Sequence, residues 1–303
     1  MVALPGLPVS VDDSRESLGL STYLLTHMHT DHLKGLRDGW KGGTIYCTRI
    51  TRELLLTRFD ISPSRVVSLD VDDVGHVLKA QDPCTGGDIW FNLTVIDANH
   101  CPGSAMFLIK SESSGCILHT GDFRACPEML TSTPLKDAKV DLLIMDNTYC
   151  HPKHALPPQS EALESIIKIA ARHSKTHRIL IGLDGLGKEE VLVALAEALH
   201  THVSIPPKRM HSIKTCGFPT DRCTRPPPLP SNASRYSLPS GFLVFPLAFR
   251  CPLRQPLIFS DRLPACRPRR RAGLCATRAG TGGGSSSLRG ESSLAHPCER
   301  TTK

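Results

Sequence analysis

Short apolar runs separated by polar turns dominate the first half of the chain. Runs of this length that end at glycine, proline, aspartate or asparagine are typical of β-strands. One short helix is predicted among them, at residues 50–58. The predicted strands cover residues 9–11, 23–26, 44–47, 66–69, 91–96, 105–109, 116–119 and 140–145.

After residue 160 the apolar spacing changes to that of helices. A helix is predicted at 161–173, a strand at 178–183 and a second helix at 188–200. The apolar face of the first of these helices consists of Leu163, Ile166, Ile167 and Ala170. Strands followed by alternating helices and strands predict an α/β chain in which helices cover sheets.

Residues 27–32 read His-Met-His-Thr-Asp-His, directly after a predicted strand. Three imidazoles and one carboxylate alternate along this turn, so pairs of side chains can converge on two neighbouring points. Neutral nitrogen and anionic oxygen are the donors that zinc-type metals bind. The turn therefore predicts a metal-binding loop with four candidate ligands, which are His27, His29, Asp31 and His32.

Further candidate ligands stand where two predicted strands end. These are His100 and Asp122. Strand ends are stiff and their loops are open to substrate, which suits a metal with a free coordination position. His119 is a weaker candidate, because a shift of one residue places it on the other face of its strand. Cys101 follows His100, and a packing role is favoured for it over a role as a thiolate ligand.

The motifs HMHTDH, DANHCPGS, TGDFR and MDNTYC occur in this order along the chain. Together they resemble the metallo-β-lactamase fold and, more narrowly, the β-CASP nucleases of the Apollo and Artemis DNA-repair group. The resemblance covers about residues 7–210 and implies an α/β fold, the αββα sandwich, in incomplete form. The organisation it implies is a metallo-β-lactamase part at 1–148, the start of a β-CASP segment at 149–214 and a disordered tail at 215–303.

The resemblance also implies two zinc ions and their ligands. The first ion would bind His27, His29 and His100. The second would bind Asp31, His32 and Asp122. Asp122 would bridge the two ions, and Asp31 and Asp122 are the expected catalytic residues. In the resembled family a later histidine also binds the second ion. Neither His211 nor His296 matches it, so the second site is expected to be incomplete.

Four further residues are expected to support the site. Asp12 would orient the metal loop and Asp146 would open the β-CASP segment, whereas the alternative for each is an ordinary turn carboxylate. Ser104 is a candidate phosphate contact, because the glycine before it lets the backbone N–H groups come close to a phosphate. Lys188, at the start of a predicted helix, is a second candidate. The family usually has a hydroxyl residue where this chain has Gly185.

The reaction implied by the resemblance is metal-dependent hydrolysis of DNA, as a 5′-to-3′ exonuclease in nuclear DNA cross-link repair and end processing. Metal-bound hydroxide would attack the phosphodiester, with single-stranded DNA or 5′ ends as the partner. Three alternatives stay open. They are a small-molecule thioester or lactam hydrolase of the same fold, a truncated chain with weak or no activity, and an inactive fragment that binds partners or DNA through its tail.

Charge and proline content separate the last third of the chain from the rest. Residues 1–214 hold 22 Lys+Arg against 25 Asp+Glu, whereas residues 215–303 hold 14 against 4 and give the chain its net charge of +7. Half of the prolines, 12 of 24, also lie in this tail. Such composition predicts disorder. Its arginine clusters suit DNA phosphates or nuclear import, and a sequence not selected to fold is the favoured alternative.

Two classes of protein are disfavoured by the rest of the composition. The chain has no run of 18 apolar residues, so a membrane span is not expected, and its N-terminus does not read as a signal peptide. Its 12 cysteines show no C-x-x-C spacing, which fits reduced thiols inside a cell rather than a disulfide framework.

Overall fold

The computed structural model describes residues 3–71, 75–131, 134–224 and 242–246. In chain order, the strands β1 to β13 are Val9–Val11, Thr22–Leu24, Thr44–Thr48, Val66–Leu69, His76–Gln81, Asp88–Asp97, Ala105–Ser111, Gly115–His119, Leu142–Ile144, Arg178–Gly182, Val203–Ser204, Cys223–Thr224 and Phe242–Pro246. The helices α1 to α5 are Arg49–Arg58, Pro127–Thr131, Gln159–His173, Glu189–Ala198 and Pro207–Thr215.

Two sheets form the first part of the molecule. The strands β1, β2, β3 and β4 lie in this order and are all parallel. The second sheet has the order β5-β6-β7-β8-β9, in which the first four strands are antiparallel and β9 runs parallel to β8. Because the strands of the first sheet are parallel, the segments that follow β1 and β2 leave the sheet at the same edge.

Alternate residues of each strand point to different cores. Between the two sheets lies one apolar cluster, in which Leu24 of β2 packs with Phe107 of β7. Tyr23 faces the other way, towards Leu55 of α1, and Met106 faces Met129 of α2. The order helix, sheet, sheet, helix is the αββα sandwich that the sequence implied. Each large side chain buried in these clusters contributes about 1.5–3 kcal/mol to folding.

A second segment, residues 159–215, contains α3, β10, α4, β11 and α5. It has a small apolar core of its own, which includes Leu192, Ile205 and Ile213. It contacts the first part through α5, where Nε2 of His211 lies 3.0 Å from Oγ1 of Thr57 on α1. The face of α3 that was expected to point inward is largely half-exposed, and Ala170 is its buried residue.

Several predicted elements differ from those observed. The strand expected at 23–26 ends at Leu24, because Thr26 is held by hydrogen bonds outside the sheet. The strand β5 and the helices α2 and α5 were not predicted. Of the expected tail at 215–303, most residues lie outside the described part of the chain, and β13 within it pairs in parallel with β10. Among the described helices, none combines the length and apolarity needed to cross a membrane.

Candidate metal centre

The loop that carries the histidine cluster is fixed at its start by Asp12. This residue follows β1 and adopts a left-handed backbone with φ of 57°. Its Oδ1 accepts the N–H of Thr26 at 2.8 Å, and its Oδ2 accepts the Thr26 hydroxyl at 2.7 Å. Since Thr26 follows β2, these bonds join the ends of two neighbouring strands and set where the loop begins. The role expected of Asp12, to orient the loop, stays a prediction that this geometry suits.

Hydrogen bonds determine which nitrogen of His27 can bind a metal. The Thr26 hydroxyl donates to Asp12, so it accepts from Nδ1 of His27, which lies 2.9 Å away. The neutral ring is therefore unprotonated at Nε2. This Nε2 is completely buried and has no hydrogen-bond partner among the described residues. A buried polar atom without a partner is costly, and a metal ion would satisfy this one.

The rings of His29 and His32 are oriented in the same way. Nδ1 of His32 donates to Oδ2 of Asp12 at 2.7 Å, which leaves its Nε2 facing the site. Nε2 of His29 lies 3.0 Å from the carbonyl oxygen of Leu186. A carbonyl can only accept, so Nε2 of His29 is the donor and its Nδ1 is free. Partners of this kind on the remote ring nitrogen are typical of metal-binding histidines.

Asp122 lies between His32 on one side and His27 and His100 on the other. Its Oδ1 is 3.2 Å from Nε2 of His32. Its Oδ2 is 3.5 Å from Nε2 of His100 and 3.9 Å from Nε2 of His27. Nε2 of His100 is also 3.1 Å from Nδ1 of His29. A carboxylate with one oxygen towards each group is placed as a bridging ligand would be.

Burial and hydrogen bonds shift the pKa values of three groups in the site. Burial lowers the pKa of His27 to about 2, so this ring is neutral. Burial alone would also lower the pKa of His32, but its hydrogen bonds to Asp12 and Asp122 raise it to about 10. The same hydrogen bond from His32 lowers the pKa of Asp122 to about 2. In the metal-free chain a proton on Nε2 of His32 thus lies where a cation would bind.

Two groups of side chains bring their donor atoms within 4.8 Å of one another. One group is His27, His29, His100 and Cys101, and the other is His27, His32 and Asp122. The imidazole, carboxylate and thiol donors of these groups fit a zinc-type ion. The unpartnered Nε2 of His27 belongs to both groups, which supports the fit. Five of the six predicted ligands are therefore brought together.

The sixth predicted ligand, Asp31, lies elsewhere. It is exposed in the short 3-10 turn Thr30–His32 and belongs to neither donor group of the described residues.

The two predicted phosphate contacts, Ser104 and Lys188, bind groups that lie close to them in the chain. The buried hydroxyl of Ser104 accepts the N–H groups of His100 and Cys101 at 3.3 and 3.2 Å, and Nζ of Lys188 lies 2.7 Å from Asp184. Their roles stay predictions.

Asp146 forms a local turn next to the site. Its Oδ1 accepts the N–H of Thr148 at 2.9 Å and the Thr148 hydroxyl at 2.6 Å. Its own N–H donates to Oγ1 of Thr120. Burial lowers the pKa of His100, and the charge of Asp146 is among the nearby charges that oppose this shift. Asp146 therefore closes a turn, and its charge also acts on His100, a candidate metal ligand.

Three neighbours of the site were not among the predicted ligands. Cys101 lies in a donor group, although a packing role was favoured for it. His119 lies near Asp12 and His32, and its Nδ1 accepts the N–H of Gly121 at 3.1 Å. The carbonyl of Leu186 has no signature in the sequence, because every residue carries such a group.

Comparison with known proteins identifies the family of the chain. The profile of the beta-lactamase superfamily domain matches residues 7–211. The chain is 37% identical over 218 residues to the 5′ exonuclease Apollo of Gallus gallus, covering 71% of this chain and 45% of that protein. It is 34% identical over 220 residues to the DNA cross-link repair protein SNM1 of Arabidopsis thaliana, covering 71% and 43%. The chain thus spans less than half the length of these relatives. It belongs to the metallo-β-lactamase superfamily.

Proposed function

We propose that the chain is a zinc-dependent DNA nuclease, a 5′ exonuclease that acts in DNA cross-link repair in the nucleus. The observation that carries the proposal is the fixed orientation of three histidines. Each donates a hydrogen bond from one ring N–H to a neighbour and turns its other ring nitrogen towards Asp122 or His100. The names of the relatives, a 5′ exonuclease and a cross-link repair protein, supply the substrate class and the process.

The proposed ligands divide between two ions. His27, His29 and His100 would hold the first, and His32, Asp122 and Asp31 would hold the second. Asp122 touches both groups, and Asp31 would have to turn inward from its exposed position. When bound, such ions supply Lewis acidity and an activated water for in-line attack on a phosphodiester.

The chain's own residues prepare this chemistry. Asp12 holds both Thr26 and His32, so it fixes the residue before the metal loop and the last residue of the loop. The low pKa of His27 keeps its ring neutral and ready to bind. Burial raises the pKa of the Cys101 thiol, which favours the neutral thiol, a poor ligand and a poor nucleophile. Water, rather than the neutral thiol of Cys101, would therefore complete the coordination of a bound ion.

The division of the chain belongs to the same proposal. Residues 1–148 would form the metal-binding part, residues 149–214 the start of the β-CASP segment, and residues 215–303 a separate tail. Phosphate contacts are assigned to Ser104 and Lys188. Because the chain covers under half the length of these relatives, its nuclease activity is part of the proposal.

The test is cleavage of single-stranded DNA with a 5′ phosphate and a 3′ label, with added Zn²⁺ or Mn²⁺. We expect the purified chain to shorten the DNA from its 5′ end. Asp122→Asn and Asp31→Ala should abolish cleavage, whereas Asp137→Asn, at an exposed position, should not. Equal activity of Asp122→Asn would remove the site assignment. Hydrolysis of nitrocefin or a glutathione thioester in preference to DNA would favour a small-molecule hydrolase.

A further inference from the structure

The second segment reaches the metal loop through the turn at residues 184–189. There the carbonyl oxygen of Leu186 accepts a hydrogen bond from Nε2 of His29 at 3.0 Å. The two residues are 157 positions apart in the chain. Because this bond fixes the ring of His29 with Nδ1 towards His100, the second segment helps to orient a ligand of the first.

A buried ion pair holds this turn in place. Glu189, the first residue of α4, is completely buried. Its Oε1 accepts the N–H of Gly187 at 3.2 Å and Nη1 of Arg209 at 2.8 Å. The other terminal nitrogen of Arg209, Nη2, donates to the carbonyl oxygen of Asp184. Arg209 belongs to α5, so both ends of the turn are tied to that helix.

The turn also packs closely against the first part of the molecule, next to Cys101. Leu186 is buried in the apolar cluster that contains Trp40 and Leu54. Gly187 has φ of 95°, and a Cβ added there would lie 3.3 Å from Cβ of Cys101. A left-handed glycine at this position lets the backbone approach without a side chain in the way. The position of the Leu186 carbonyl is therefore determined from several sides.

We propose that metal binding and docking of the second segment are coupled through the Leu186 carbonyl, with Glu189 and Arg209 as positioning residues. The proposal rests on the assignment of His29 as a metal ligand. A group that orients a ligand contributes to metal affinity, and the coupling is reciprocal. Removing one member of the pair leaves the other charge buried and unpaired, so the turn loosens. Zinc should in return stabilise the docked turn.

The first arm of the test is zinc affinity of the full chain, measured by competition with a chromophoric chelator. Glu189→Gln and Arg209→Ala should weaken zinc binding by about 10–100-fold, the range typical of lost orienting partners. The matched controls are Glu190→Gln and Lys208→Ala, which change the exposed residues next to each. Both controls should bind zinc as the unchanged chain does. Circular dichroism confirms that each variant is folded.

The second arm is hydrogen exchange of the turn with and without zinc. We expect zinc to slow exchange of the Gly187 amide in the unchanged chain, and this effect to disappear in Glu189→Gln. If Arg209→Ala does not fold, Arg209→Lys replaces it, since it keeps the ion pair while losing the second donor. Unchanged zinc affinity in folded Glu189→Gln, or exchange at the turn that zinc does not alter, would overturn the proposal.

The two proposals fail separately. A chain that binds zinc with the expected coupling but does not cut DNA would remove the nuclease proposal and leave the coupling intact. A chain that cuts DNA while Glu189→Gln binds zinc normally would do the reverse.

Discussion

Replacement of Asp12 by asparagine separates its charge from its shape. Asp12 accepts hydrogen bonds from the N–H and hydroxyl of Thr26 and from Nδ1 of His32. Its φ of 57° is unusual for most residues, but asparagine adopts this region readily. The variant therefore keeps the backbone and the volume while it removes the negative charge and at least one acceptor.

The expected loss can be estimated from these contacts. A hydrogen bond to a charged group contributes about 1.5–3 kcal/mol, so the metal-free chain should lose stability of this order. The ring of His32 would no longer be held by a carboxylate on its Nδ1. Loss of such a partner typically lowers metal affinity by about 10–100-fold. This range corresponds to about 1.4–2.8 kcal/mol of binding free energy.

The assay is zinc competition with a chelator, together with urea unfolding of the metal-free chain. Asp13→Asn is the matched control, because the neighbouring Asp13 is a buried carboxylate that pairs instead with Arg15 and Lys34. It should lose stability without losing zinc affinity. If both variants bound zinc equally well, the orienting role of Asp12 would be refuted.

Three further predictions follow from the site and its turns. Because two carboxylates raise the pKa of His32 to about 10, its ring carries a proton at pH 7 that zinc must displace. Zinc affinity should therefore rise with pH up to about 10, and calorimetry in two buffers should detect the released proton. Cys101→Ser should leave the near-ultraviolet spectrum of the Co²⁺-loaded chain unchanged, and loss of a sulfur-to-metal band would show that the thiol binds. Gly103→Ala should lower the free energy of unfolding in urea more than Gly86→Ala does. Each variant should lose about 1–2 kcal/mol because of the positive φ, but only at Gly103 does the new Cβ come within 2.9 Å of Ile50.

The strands of the sandwich could be predicted where the apolar signal was dense. The strands at 9–11 and 66–69 have the predicted bounds, and α1 begins one residue before its predicted start. The strand β5, at His76–Gln81, was missed because it lies at a sheet edge and buries mainly Ala80. The helix α2 is only five residues long, too short to show a periodic pattern.

The candidate metal ligands could be predicted better than the groups that hold them in place. The HxHxDH motif and the strand ends identified five residues that the fold gathers, among them His100 and Asp122. The inward hydroxyl of Ser104 could not be foreseen, since it depends on how one turn closes. The contact of Leu186 with His29 joins distant parts of the chain through a backbone atom, and no side-chain pattern records it.

Equilibrium dialysis against zinc, followed by elemental analysis, tests directly whether these side chains form a metal centre. The folded chain should retain about one to two equivalents of zinc, and His27→Ala should lose most of it, because this ring belongs to both donor groups. Retention of less than one equivalent by the folded chain, or equal retention by His27→Ala, would contradict the assignment and favour a non-catalytic protein.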